Sequence, residues 1–247
     1  NLAITQKARI EFDLNGGLIN TDAIDNSAGV NMSDYEVNIK ILLSSLQKNG
    51  VIKSNKSRNN LLHKATDEVT DLVLNNNILQ HNLISMDQFR SVEQSYLIEN
   101  TISTLIKDGD LNPNDEQIPL SKDRKELYRQ KIPLPRPVLA KCQAYTKMKL
   151  KLEISSSNLF TGPIYDSMFF NYFPKSIQSL INSDDLPDHR LKKEIIITQL
   201  TNYFVGIFGC ASFDLISFFN RIPIDLAIHN LVIIEQLFRL KEKRDQA

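Results

Sequence analysis

In residues 20–42, NTDAIDNSAGVNMSDYEVNIKIL, short polar side chains crowd around one glycine just ahead of a helical pattern. Asp22, Asp25, Asn26, Ser27 and Gly29 make a polar, glycine-containing turn ahead of a helix N-terminus, the place where open α/β sheets bind ligands. The first backbone N–H groups of a helix, with its dipole, favour a carboxylate or phosphate. Asn26 can donate and accept hydrogen bonds at once. Gly29 lets a ligand approach the backbone closely. Ser33, followed three residues later by Glu36, has the spacing of a capping box. Such a cap stabilises a helix start by about 1 kcal/mol. The same residues also suit a strand end, a turn and a capped helix that bind nothing, and spacing alone leaves both readings open.

The elements that would position this turn follow from periodicity and punctuation. Residues 5–14 predict a short helix stopped by Gly16 and Gly17. Residues 18–20 are a short apolar run, expected to be a buried strand end. A helix is expected from Ser33 to Asn49-Gly50, with Val37 and Ile41 in its 3.6-residue pattern and Ile39, Leu42, Leu43 and Leu46 widening the apolar face. Residues 61–74 predict another helix, with a bend or restart at residues 75–77. A long helix over 85–107 ends near Gly109, and a short one covers 121–128. Pro133, Pro135 and Pro137 exclude helix until the last of them, which can sit in a first turn. Helices then follow over 138–154, 163–173, 175–181, 188–208, 212–219 and 224–243. Only the first thirty or so residues carry a strand signal. The expected fold is therefore mainly α: a helical C-terminal domain preceded by a small α/β remnant.

Composition narrows the function classes. The chain has 247 residues and a formal net charge of zero, with 29 basic and 29 acidic side chains. That lacks the basic excess of a dedicated nucleic-acid binder. Cys142 and Cys210 are far apart with no CxxC spacing, which suggests a reducing, cytoplasmic compartment. His63, His81, His189 and His229 are scattered, and none pairs at metal-ligand spacing. No signal peptide is evident. The first residue is Asn1 and not methionine, so the chain is expected to be cut from something longer. Residues 195–213 carry no full charge and are long enough to span a bilayer. Gln199, Thr201, Asn202 and two glycines interrupt them, so we read buried helices of a soluble core and no membrane span.

Other features have plain readings. The charge run after Asp188 (His189, Arg190, Lys192, Lys193) suits a solvated first helical turn capped by Asp188. The LPRP segment reads as an extended connector. Arg136 within it is a candidate buried ion-pair anchor, which the sequence does not decide. YDSMFFNYFP reads as core, and Tyr35 as a ring packed beside a helix start.

One family pattern does emerge. The block NLAITQKARIEFDLNGGLINTDAIDNSAGVNMSDYEVNIKIL, residues 1–42, resembles the end of the catalytic region of large NAD-specific glutamate dehydrogenases. The likeness continues in ATDEVTDLVLNNNILQ (65–80), LPRPVLAKCQAYTKMKL (134–150), YFP (172–174) and HRLKKEIIITQLTN (189–202). The resemblance implies oxidative deamination of L-glutamate to 2-oxoglutarate and ammonia, with hydride passed to NAD. It implies that Asn26, Val30 and Ser33 line the amino-acid substrate and that Asn1 sits near the nicotinamide ribose. On that reading, residues 1–50 are the tail of the catalytic dinucleotide-binding region with its exit helix. Residues 51–247 are the helical C-terminal domain. In this family the catalytic lysine and aspartate and the glycine-rich cofactor loop lie upstream of the point matching Asn1. No catalytic residue is therefore expected here, and the chain alone should not turn over glutamate. Implied partners are the upstream catalytic domain of the same protein and further copies of the chain. Met32 and Tyr35, Ala3, and Ile207 in place of an expected arginine depart from the pattern. The alternative is a non-catalytic helical scaffold or assembly module, descended from such an enzyme.

Overall fold

A single helix, α4 (Asn55–Glu93), runs unbroken for 39 residues. At 1.5 Å per residue it is about 58 Å long. Residues 75–77 are three asparagines, for which a bend or restart is expected, yet the helix passes through them. Asparagine weakens helices mainly by hydrogen-bonding the nearby backbone. Here the side chain of Asn77 is committed elsewhere. Asn77 Nδ2 donates to the Ile24 carbonyl at 3.1 Å and to Ser27 Oγ at 2.9 Å.

The computed structural model describes residues 4–181, 188–220 and 222–238. Before α4 come α1 (Gln6–Leu14), the single turn α2 (Asp22–Asp25) and α3 (Ser27–Lys48). After it come α5 (Ser95–Lys107), α6 (Ser121–Arg129), α7 (Arg136–Ser155), α8 (Pro163–Tyr172) and α9 (Lys175–Gln178). The chain closes with α10 (Lys192–Phe208), a 3-10 turn (Gly209–Ala211), α11 (Ser212–Asn220) and α12 (Ile224–Phe238). Residues 239–243 of the last expected helix lie outside the described residues.

Local chemistry sets many of these ends. The Thr5 hydroxyl accepts from the Ala8 N–H at 3.2 Å, and Ser54 Oγ accepts from Ser57 N–H at 3.1 Å, each capping a helix start. At the end of α1 the Gly16 N–H reaches the Asp13 carbonyl at 3.0 Å and the Gly17 N–H the Phe12 carbonyl at 2.9 Å. These are the paired bonds of a left-handed cap, with Gly16 at φ +89°. Pro137 sits in the first turn of α7, as its ring geometry allows.

Three expectations are corrected. No strand is present among the described residues, so the α/β remnant of a dinucleotide-binding domain is not seen. Residues 18–20 are irregular: a strand needs a ladder partner, and Asn20 is held by side chains instead. Second, α3 begins at Ser27, six residues before the expected start. Ser33 therefore lies inside the helix and its capping box with Glu36 does not form. Glu36 pairs instead with Lys40, one turn on. The grip of Asn77 on Ile24 and Ser27 explains the early start, because it docks α2 and the first turn of α3 onto α4. Third, α10 begins at Lys192 without a cap from Asp188. His189 organises that entry instead. Its Nδ1 accepts from the Leu191 N–H at 3.2 Å and its Nε2 donates to the Asn38 carbonyl at 3.1 Å.

Apolar burial falls into two clusters. One joins α3 (Ile39, Leu42, Leu43), the first two-thirds of α4 (Ala65, Val69, Val73), the end of α7 (Leu150, Ile154) and helices α8 to α12. The other joins α1, α2 and α5 to the start of α7 (Val138, Leu139, Cys142). Full burial of each such side chain is worth about 1.5–3 kcal/mol. The apolar stretch tested for a membrane span lies in the first cluster, with Ile195, Ile196, Ile197, Leu200, Phe204 and Val205 buried. By length and composition alone, Lys192–Ser217 is long and apolar enough to cross a membrane, and most of it is covered by protein.

Helices α4, α7 and α10 meet at a fully buried carboxylate, Asp87. Its oxygens accept from Arg90 Nη1 at 3.0 Å, Gln143 Nε2 at 2.7 Å and the Cys210 N–H at 2.9 Å. Arg90 Nη2 also donates to the carbonyl of Ile207 at 3.0 Å. At the position where the family pattern expects an arginine, the nearby guanidinium thus comes from α4. Gly209, at φ +68°, brings the chain against this group, and a methyl there would overlap the Asp87 and Arg90 side chains.

Two outcomes are expected. Gly209→Ala should lower stability by at least about 2 kcal/mol, from the left-handed backbone and the overlap. Gly206→Ala, three residues earlier in open space within α10, should be neutral or stabilising by up to about 1 kcal/mol. Urea unfolding midpoints distinguish them, and equal losses would refute the packing at Asp87. Burial holds the His189 imidazole below its ordinary pKa, outweighing the bond to Asn38. Its contribution to stability is then complete above the unfolded pKa of about 6.5 and declines as pH drops below that value. Unfolding midpoints taken at about pH 7.5 and about pH 5.5 should fall with acid, and His189→Gln should flatten that slope.

Candidate functional site

The turn singled out by sequence is built on a buried arginine. Helix α1 turns Arg9 and Ile10 inward. Arg9 Nη1 donates to the Asn20 carbonyl at 2.8 Å and to Asp25 Oδ2 at 3.2 Å, while Nη2 pairs with Asp22. One guanidinium thereby holds both acidic residues of α2 and the chain entering it. Asn20, itself buried, adds a second tie: Nδ2 donates to Asp25 Oδ1 at 2.9 Å and to His81 Nδ1 at 3.1 Å.

The other side of Asn20 meets Arg136, at the start of α7. Arg136 Nε donates to Asn20 Oδ1 at 2.9 Å. Nη1 donates to Ser85 Oγ at 2.8 Å and Gln88 Oε1 at 3.1 Å, and Nη2 to the His81 carbonyl at 3.1 Å. The Arg136 backbone N–H donates to Asp13 Oδ2 at 3.1 Å. Burial pushes the Asp13 carboxyl above its usual pKa, and the bond and charge of Arg136 oppose the shift. The LPRP arginine, undecided from sequence, is buried, and its side chain is held by the neutral groups of Asn20, Ser85, Gln88 and the His81 carbonyl and not by an ion pair.

Outside this knot lies an open face. Asn26 precedes α3, and Val30 and Ser33 lie one and two turns along it. At 100° per residue, positions 26, 30, 33 and 37 fall within about 60° of one another. All four are exposed, Val30 at 67% and Val37 at 47%. The opposite face, Tyr35, Ile39, Leu42, Leu43 and Leu46, is buried. The structure thus brings Asn26, Val30 and Ser33 onto one solvent-facing stripe beside a helix start. Asn1 lies outside the described residues.

Tyr35 belongs to the packing. Its ring stacks on Tyr172 with centroids 4.8 Å apart, and burial pushes its hydroxyl pKa upward. Burial likewise pushes the Cys142 thiol to about 12, so it is not a reactive nucleophile. Among the described residues no group of three or more His, Cys, Asp or Glu is placed to hold a metal ion. The stripe carries an amide, an isopropyl group and a hydroxyl on an exposed side of the helix, with no acid–base pair among these residues.

Sequence reading missed Arg9, Asn20, His81 and Gln88. The available signal was weak: Arg9 adjoins Ile10 in a short helix, with acids at 22 and 25. Nothing in the spacing tells which arginine those acids meet.

Comparison with known proteins adds a second line of observation. A model described as bacterial NAD-glutamate dehydrogenase, catalytic domain, matches residues 1–87. A model described as glutamate dehydrogenase, C-terminal, matches residues 131–247. An NAD-specific glutamate dehydrogenase of Mycobacterium tuberculosis is 35% identical over 239 residues, 96% of this chain and 14% of that protein. Those of Pseudomonas aeruginosa and Halomonas elongata are 37% and 34% identical over 209 residues, 85% of this chain and 13% of each relative. The chain thus spans 13–14% of the length of these curated relatives. No solved structure matches it.

Proposed function

The chain belongs to the bacterial NAD-glutamate dehydrogenase family, and from that premise we propose that it is the C-terminal portion of a longer enzyme. That enzyme oxidatively deaminates L-glutamate to 2-oxoglutarate and ammonia. Residues 1–50 are the tail of its catalytic dinucleotide-binding region with the exit helix and residues 51–247 its helical C-terminal part, of which residues 51–87 still fall within the catalytic-domain match. Asn26, Val30 and Ser33 face the substrate.

The observation that carries this reading is the exposed stripe on α3. A glutamate carboxylate brought to the head of this helix meets oriented N–H groups and the positive end of the helix dipole. Asn26 and Ser33 offer hydrogen bonds there, and Val30 offers a methyl surface to the aliphatic part of the substrate. The stripe sits on a rigid support, since Arg9 and Asn77 tie its base to α1 and α4.

The described residues do not form a cradle for a dinucleotide. None of them builds the strand, glycine-rich turn and helix that hold a pyrophosphate. By family resemblance the reading leaves NAD, the catalytic lysine and the catalytic aspartate to the upstream catalytic domain and assigns Asn1 to the nicotinamide ribose. Exposed Leu18, Leu74, Ile78 and Met86 lie within the catalytic-domain match and supply surface for that domain or for another subunit of a homo-oligomer. Free, buried Cys142 and Cys210 suit a reducing cytoplasm.

Glutamate-dependent NADH formation tests the proposal. The longer protein that carries this chain should reduce NAD in the presence of glutamate, and the 247-residue chain alone should not. A soluble, intact longer protein without turnover would leave a helical scaffold instead. Asn26→Ala in the active protein should lower kcat/KM for glutamate by about 10- to 100-fold, the equivalent of a charged hydrogen bond worth about 1.5–3 kcal/mol. Unchanged kinetics would remove Asn26 from the site.

A further inference from the structure

Arg136 lies in the segment matched by the C-terminal model, yet it reaches Asp13, Asn20, His81 and Ser85, all in the catalytic-domain match. We propose that Arg136 is a positioning residue through which the C-terminal domain sets the substrate-facing turn, by way of Asn20 and Asp25. The substrate part of this statement rests on the function proposed above; the mechanical part does not.

The geometry assigns each nitrogen of the guanidinium a task. Nη1 and Nη2 are fixed to α4 through Ser85, Gln88 and the His81 carbonyl. A planar fork held at two corners has its third corner fixed in space. That corner, Nε, donates to Asn20 Oδ1, a residue 116 positions away in the chain. With its oxygen held there, the Asn20 amide turns Nδ2 toward Asp25 Oδ1 at 2.9 Å and His81 Nδ1 at 3.1 Å. The Asn20 backbone N–H adds a longer bond to Asp25 Oδ2 at 3.3 Å. Asp25 is the last residue of α2 and immediately precedes Asn26, the cap of α3. The relay therefore ends at the first residue of the exposed stripe.

Arg9 grips the same aspartate, but from eleven residues before Asn20 and within the same segment. It makes the turn locally coherent. Arg136 decides where that coherent turn stands relative to the C-terminal helices. The distinction has a chemical consequence. A lysine at position 136 has one nitrogen and cannot meet Asn20, Ser85 and the His81 carbonyl in a single fork. Charge alone would keep the attraction to Asp13 and Asp25 and lose the orientation of Asn20.

Amide hydrogen exchange on the 247-residue chain tests the relay without any need for turnover. The Ile24, Asp25 and Asn26 N–H groups are hydrogen-bonded within the turn, to the carbonyls of Thr21 and Asp22, so their exchange reports its opening. In Arg136→Lys these amides should exchange about tenfold faster, the loss of one charged hydrogen bond, while those of α10 stay unchanged. Asn20→Ala should do the same, and the double variant should be no faster than either single one. Unchanged exchange in the turn, an equal rise throughout the chain, or additive effects would each overturn the relay. Arg136→Gln serves as a second variant, and Arg136→Lys keeps the charge should the former fail to fold.

In the active longer protein, Arg136→Lys should raise KM for glutamate about tenfold and leave KM for NAD within about twofold. Faster turn exchange with an unmoved glutamate KM would overturn the positioning role. Absence of turnover in the unsubstituted protein would count against the enzyme reading alone, since the exchange result stands by itself.

Discussion

The carboxylate of Asp87 constrains more of this fold than any other single group. A charge removed from water is tolerated only when paired and hydrogen-bonded, and removing one partner of a buried pair costs about 3–5 kcal/mol. Asp87 draws its donors from its own helix, from α7 and from the turn after α10. Those three donors come together at only one arrangement of the three segments. The left-handed backbone at Gly209 follows from the same demand, because only there can the Cys210 N–H reach the carboxylate without a side chain in the way. The two apolar clusters are thereby kept in register, since α4 and α7 contribute to both.

Helix α4 meets three different surroundings along one rod. Ala65, Val69 and Val73 enter the larger core. Asn77, His81, Ser85 and Gln88, spaced four, four and three apart, line a polar side that receives the N-terminal turn and Arg136. Leu74, Ile78, Met86 and Phe89 remain open to solvent. A helix whose surroundings change on every side does not read as amphipathic, which is why its pattern suggests two shorter helices and not one. Its length is nonetheless what lets the core, the polar knot and the exposed stripe of α3 share one rigid reference.

How much of this was legible depends on the range over which each interaction acts. The Gly16-Gly17 stop, the end of α3 at Gly50, the Pro137 and Pro163 starts and the buried face of α3 follow from bonds made within a turn or two of chain. Asn26, Val30 and Ser33 came as a set only from the family resemblance, and the structure adds that they share one exposed side of α3. The true start of α3 was not readable, because Asn77 holds it from 50 residues away. Nor was the fate of residues 18–20, whose expected ladder gave way to two arginines that take different oxygens of Asn20.

By itself, then, the sequence determined a helical chain, the main helix boundaries set by glycine and proline, and a family likeness that the comparisons bear out over residues 1–87 and 131–247. These depend on backbone preferences and on residue order, both of which are local or linear properties. Only the tertiary structure decided that α4 is continuous, that α3 starts at Ser27, and that Arg9 and Arg136 converge on Asn20. A buried polar group takes whichever partner the packed chain brings within 3 Å or so, and no spacing along the sequence records which one that will be.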